Sequence, residues 1–274
     1  MTVETQVAGA ERVQQAFTAA RDEGRAALVI YLTSGYPDLA TSRDCLVAAA
    51  ESGADVLEVG IPFSDPMMDG PTIQAAVQRS LDLGYRVDDH LASARELAAA
   101  TDVPAVTMTY VTIADTRGYE RFADDLASTG LTGAILPDLP VPEAGPWLEA
   151  ARARGLATVF LASTVSTDAR LADIARASSG FVYATGLLGV TGVKDVAVEQ
   201  ASGLVDRVRE HTDLPVAVGI GVKTRQHAAT VAGYADGVIV GSAVVSAAGD
   251  GDPASAPGRV AELVAELRRG VEQA

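Results

Sequence analysis

Short apolar runs recur along the chain and alternate with longer alanine-rich stretches whose apolar residues fall at helical spacing. The runs are AALVIYL (26–32), DVLEVGI (55–61), PAVTMTY (104–110), GAILP (133–137), ATVFLA (157–162), GFVYAT (180–185), PVAVG (215–219) and GVIVG (237–241). Each is rich in β-branched residues and bounded by Gly, Pro or Asp, the pattern of parallel strands covered on both faces. Between them, LATSRDCLVAAAESG (39–53) and RVDDHLASARELAAA (86–100) read as helices. The glycines of the SG, TG and RG pairs at 52–53, 129–130 and 154–155 read as helix C-caps. An amphipathic helix over about 10–23 precedes the first strand, and AAGDGDPASAPG (247–258) reads as a late loop before a final helix. Eight strand–helix units without a linker-like break predict a single (β/α)₈ barrel over residues 1–274, with the N-terminal helix as an addition. A doubly wound open sheet is the alternative.

Composition agrees with that architecture. The chain has 274 residues, of which 48% are hydrophobic and only 5% aromatic, and the abundant alanine suits closely packed helices. A net charge of -15 argues against a nucleic-acid or anionic-membrane surface, since either needs a basic patch. An anionic substrate would have to be held by locally aimed dipoles. Cys45 is the one cysteine, which excludes an internal disulfide framework, and with three scattered histidines it offers no metal-ligand spacing. The N-terminal MTVETQVAGAERVQQAF lacks the apolar core of a signal peptide, and no run approaches the roughly 20 apolar residues of a membrane span. A cytoplasmic protein is the expectation.

Candidate chemistry concentrates at the predicted C-terminal ends of the strands, where this barrel carries its active sites. In VLEVGIPFSDPMMDGPTI (56–73), Glu58 stands in an apolar strand and alternates with Val56, so it points into the barrel near its mouth. It is either a buried carboxylate satisfied by a neighbouring hydroxyl or amide, or a general acid/base whose pKa the apolar setting raises. Asp69 follows in a loop of turn signals. It is either an ordinary turn residue or a second carboxylate leaning back over the mouth, and two carboxylates in unlike surroundings can divide acid from base work. VAVGIGVKT (216–224) leaves strand seven through Gly219 and Gly221, and VIVGSAVVSAA (238–248) leaves strand eight through Gly241 and Ser242 into a short helix. Glycine lets backbone amides approach a ligand, and a helix N-terminus favours an anion, so the two loops together point to phosphate. GLLGVTGVKD (186–195) has the glycine content of a closing loop, or of an ordinary flexible one.

The segments YLTSGYPD, GADVLEVGIPFSDPMMDGPTIQAA, GFVY, GVTG, VGIGVKT and ADGVIVGSA together resemble the tryptophan synthase alpha subunit, through nearly the whole chain. The resemblance implies a (β/α)₈ barrel that splits indole-3-glycerol phosphate into indole and glyceraldehyde 3-phosphate, with no cofactor in this subunit. It also implies a beta subunit, carrying pyridoxal phosphate, that receives indole through a tunnel. By position, Glu58 and Asp69 match the family's catalytic pair, and Tyr183 matches a tyrosine beside the glutamate. Tyr31 and Tyr110 match aromatic groups of the indole pocket. Gly192, Gly221, Gly241 and Ser242 match phosphate contacts, and Thr191 the closing loop's threonine. The chain departs from many members after the strand-three tyrosine, where TYVTIAD places Thr112 and Ile113 instead of an Asn-Pro pair, in a region that lies close to the beta subunit. It also has Leu187 where some members carry arginine. A freestanding lyase that releases indole, and a barrel kept mainly as a regulatory binding partner, are the other readings.

Overall fold

The computed structural model describes residues 8–186 and 194–273, side chains at 194–198 excepted. Nine parallel strand segments lie between helices: β1 (Ala27–Thr33), β2 (Val56–Gly60), β3 (Ala105–Met108), β4 (Gly133–Ile135), β5 (Ala157–Val159), β6 (Leu161–Ser163), β7 (Val182–Thr185), β8 (Val216–Gly219) and β9 (Gly237–Val240). Their order in the sheet is β5-β4-β3-β2-β1-β9-β8-β7-β6. The two outermost segments are consecutive in the chain, separated only by Phe160. One interrupted strand thus pairs with β4 through its first half and with β7 through its second, and the sheet closes on itself. A barrel's strands are staggered, so the two neighbours of one strand overlap different parts of it. The eight predicted runs therefore yield nine segments with no change of topology, and the open sheet is set aside.

Two cores result. Inside the barrel, small and β-branched side chains such as Ala27, Val29, Val56, Val106, Ile135 and Ala217 fill the column. Its N-terminal end is closed by the added helix, Gly9–Asp22, which sends Val13 and Phe17 into it. The Phe17 ring lies 5.2 Å from that of Phe181. Burying such a side chain contributes about 2–3 kcal/mol, which is why this helix is held against the barrel. The second core lies between strands and outer helices and includes Trp147, the only tryptophan, packed 5.7 Å from Phe122. At the N-terminal ends of β1 and β2, opposite the mouth, Arg25 grips Asp55 with two bonds of 2.6 and 2.8 Å, and Asp55 also accepts from the Leu28 amide at 2.8 Å.

The local signals account for most boundaries. Gly53, Gly130 and Gly155 take φ of 108°, 85° and 64°, the left-handed region that closes helices, and Gly130 is itself the C-cap of Tyr119–Thr129. The stretch 247–258 is not one loop. The helix Ser242–Gly249 enters it, Pro253–Ser255 forms a 3₁₀ turn and the last helix, Ala256–Val271, begins inside it. Pro257 lies in that helix's first turn, where a missing N–H costs nothing, so proline there marks a start rather than a loop. A helix at Val111–Arg117 also follows β3 directly, with Tyr110 as its N-cap residue. No described helix is long and apolar enough to cross a membrane.

Candidate active site

A cavity of about 420 Å³ opens at the C-terminal ends of the strands. Its walls are inward-facing strand residues: Tyr31 on β1, Glu58 on β2, Met108 on β3, Leu161 on β6, Tyr183 on β7 and Ile239 on β9. Alternation along each strand puts them there, as it puts Val56 one layer below Glu58. The loop after β2 folds over the opening and contributes Met68, Asp69 and Gly70, while Gly221, Lys223, Gly241 and Ser242 form another part of the rim.

Glycines set the shape of the walls. A Cβ on Gly219 would stand 2.5 Å from the Tyr183 hydroxyl, and one on Gly60 would collide with the Tyr31 hydroxyl. Each tyrosine ring therefore lies across a neighbouring strand at a point where that strand has no side chain. Tyr31 is fixed further by a 3.1 Å hydrogen bond between its hydroxyl and that of Thr33. A Cβ on Gly241 would meet Tyr31 Cδ1 at 3.3 Å and Ile73 Cδ1 at 3.6 Å.

Glu58 is 1% exposed, and neither carboxyl oxygen has a hydrogen-bond partner among the described residues. No neighbouring hydroxyl or amide among the described residues makes it a satisfied structural carboxylate. Burial, and after it the charge of Asp69, pushes its pKa up to about 8. Asp69 is raised to about 6 by burial, against a lowering effect from the Tyr110 hydroxyl, which donates to Oδ2 at 3.3 Å. Burial thus raises both, Glu58 further than Asp69, so Glu58 keeps its proton to higher pH than its neighbour in the same cavity. Burial and the same charges hold the phenols of Tyr31 and Tyr183 well above their ordinary range, so both stay neutral donors.

Tyr110 does not line the cavity. Its hydroxyl sits behind the loop, accepting from the Met68 amide at 2.9 Å while donating to Asp69, and its ring stacks on Phe63 at 5.2 Å. Tyr110 thus meets the Asp69 carboxylate directly. Thr112 is exposed on the helix that follows, and Ile113 donates its N–H to the Tyr110 carbonyl at 3.0 Å, a bond a proline there lacks.

The rim at β8 and β9 carries a left-handed glycine and a helix N-terminus. Gly221 adopts a φ of 78°. In the helix Ser242–Gly249 the first internal bond runs from the Val245 amide to the Gly241 carbonyl at 3.0 Å, so the amides of Ser242, Ala243 and Val244 have no helical partner. Thr191, Gly192 and most of the segment 186–195 lie outside the described residues. Met68, Ile73, Met108, Leu161, Thr185, Lys223 and Ile239 line the cavity without having been singled out in the sequence. Strand alternation from Glu58 was the signal for Met108, Leu161 and Ile239; nothing local marked the others. No cluster of three or more His, Cys, Asp or Glu side chains suits a metal among the described residues. A second cavity, of about 530 Å³, lies at the other end of the barrel, but its Arg21, Arg25 and Arg209 are already paired with Asp22, Asp55 and Asp236.

Comparison with known proteins gives one consistent result. The sequence model of the family described as "Tryptophan synthase alpha chain" matches residues 17–272. A tryptophan synthase alpha chain of Mycobacterium avium (strain 104) is 50% identical over 260 residues, covering 95% of this chain and 96% of the relative. One from Streptomyces avermitilis is 50% identical over 254 residues, 92% of each. Among solved structures, a tryptophan synthase from M. tuberculosis in an open form superposes with a TM-score of 0.88 at 43% identity, covering 96% of this chain and 99% of that one. A tryptophan synthase subunit alpha from Legionella pneumophila gives 0.86 at 29% identity over 96% and 99%.

Proposed function

The chain belongs to the tryptophan synthase alpha chain family, whose activity is the cleavage of indole-3-glycerol phosphate, and from that premise we propose that Glu58 and Asp69 are the acid–base pair of that reaction. The observation that carries the assignment is that two carboxyl groups face one tyrosine-walled cavity, one of them, Glu58, buried without a hydrogen-bond partner among the described residues.

The reaction is a retro-aldol cleavage. Protonation of indole C3 creates an indolenine-like cation with its charge at the ring nitrogen. A protonated Glu58 supplies that proton, and the ionised Asp69 stabilises the charge that develops. The side-chain hydroxyl next to C3 then loses its proton to the Glu58 carboxylate as the C–C bond breaks. The bonding pair returns to the ring and neutralises it, leaving indole and an aldehyde. One proton enters at C3, one leaves the hydroxyl, and Glu58 ends as it began. Groups in such roles typically contribute about 10²–10⁴-fold each. Tyr31 and Tyr183 would pack on the indole ring together with Leu161 and Ile239. Gly221, Gly241 and Ser242 would hold the phosphate, with Gly192 as a further contact and Thr191 as the closing-loop partner of Asp69.

Relatives carry the name of an alpha chain, and this chain is taken to work as one barrel domain alongside a beta subunit. Thr112 and Ile113, exposed and half-buried on a helix near the mouth, favour a second reading in which it releases indole unaided. Assaying the pure chain with and without a beta subunit separates the two. Asp69→Asn tests the pair itself. The neutral amide cannot stabilise the ring cation, so cleavage should fall by about 10²-fold or more. Loss of affinity with an intact turnover number would make Asp69 a binding residue instead.

A further inference from the structure

Of the described side chains that line the cavity, one is cationic, that of Lys223. It is exposed, it follows Gly221 by two positions, and it shares the rim with Gly241 and Ser242. Arginine makes every described ion pair of this chain, and Lys223 enters none of them. The chain holds only two lysines, Lys194 and Lys223, against a net charge of -15. A cation at the mouth of a cavity that already holds two carboxyl groups has no ion-pair partner among the described residues to explain it.

Electrostatics gives it a task. A phosphate dianion approaching this molecule meets an unfavourable net charge and, in the cavity, the ionised Asp69. Backbone amides and a helix N-terminus supply only fractional positive charge, worth about 0.3–1 kcal/mol at an exposed end. A full charge on a flexible stem reaches the outer face of the anion, which backbone groups beneath it leave open. We infer that Lys223 is a specificity-determining residue that clamps the phosphate end of the substrate from the solvent side. It thereby selects phosphorylated over unphosphorylated indole compounds. The inference rests on the phosphate assignment of Gly221, Gly241 and Ser242.

The test compares binding of two probes, glycerol 3-phosphate and indole, to the full chain by calorimetry, together with steady-state cleavage at several salt concentrations. Lys223→Gln should weaken glycerol 3-phosphate about fivefold, the upper range for a solvent-exposed charge pair. Indole affinity should be unchanged, KM should rise more than kcat falls, and the salt dependence of kcat/KM should flatten. Lys223→Arg should restore most of the loss. Gly241→Val serves as the control for the underlying site, since its side chain would obstruct the amides. Should Gly241→Val abolish glycerol 3-phosphate binding while Lys223→Gln leaves affinity and salt dependence untouched, the clamp is refuted and the phosphate site stands. If neither variant weakens the probe, the phosphate assignment itself falls, and the clamp with it.

Discussion

Replacing Glu58 by glutamine should abolish cleavage and, at the same time, stabilise the protein increasingly as pH rises. The folded state raises the Glu58 pKa from 4.5 to about 8, so the native protein holds this proton more tightly than the unfolded chain does. Below the unfolded value both states are protonated and Glu58 costs no more than a neutral amide of the same shape. As pH climbs through the window between 4.5 and 8, the unfolded chain gains the freedom to ionise while the buried carboxyl does not, and stability drains away. A tenfold difference in proton affinity between the two states is worth about 1.4 kcal/mol. The rise from 4.5 to about 8 therefore sets a ceiling of about 5 kcal/mol above pH 8, of which ~3 kcal/mol has developed by pH 7. Glutamine at position 58 does not ionise, so the variant should escape this loss. Urea unfolding of both proteins at pH 5, 7 and 9 is the assay, because titrating groups remote from Glu58 cancel in the difference. Wild type and variant should nearly coincide at pH 5 and diverge by several kcal/mol at pH 9, a gain on the order of 10 °C in Tm. A difference that stays constant across that range would refute the reasoning, since it would place the folded pKa of Glu58 near its ordinary value. The same variant should lose about 10²–10⁴-fold in cleavage rate, and retention of most of the rate would remove Glu58 from the chemistry.

Two further outcomes follow from the supports of the site. Tyr110→Phe removes the hydroxyl that favours the ionised Asp69, so the acidic limb of the rate profile, expected near pH 6, should move upward; an unmoved limb would exclude Tyr110 as the support of that carboxylate. Gly219→Ala puts a methyl group where the Tyr183 hydroxyl now lies and should displace that ring, raising KM for the indole substrate several-fold, with circular dichroism showing an intact barrel. A normal KM would mean the ring is not part of the indole wall.

The barrel was legible because its strands are buried on both faces, so each one prints a continuous apolar run flanked by Gly, Pro or Asp. Glu58 was legible for the same reason, as a charged residue in a run that has no other use for one. What stayed hidden depends on contacts between distant segments. Nothing in ATVFLA tells that its two halves have different neighbours, since that follows from the stagger of the closed sheet. Tyr110 ends an apolar run and reads as a strand residue, yet its place is fixed by the loop after β2, whose Met68 amide and Asp69 carboxylate meet its hydroxyl. Gly219 read as a glycine that lets backbone approach a ligand, and only the tyrosine rings lying over Gly219 and Gly60 reveal why a side chain is excluded at each.

Trp147 has a spectroscopic consequence. It is 1% exposed, it belongs to the core outside the strands and it does not line the cavity. Its emission should be that of a dry, shielded indole ring, quenched or red-shifted only when the outer helices separate. Binding in the barrel mouth leaves that environment alone. An indole-bearing ligand would therefore contribute its own fluorescence over a fixed background, and the protein's single intrinsic chromophore of this kind would report unfolding without interference from occupancy.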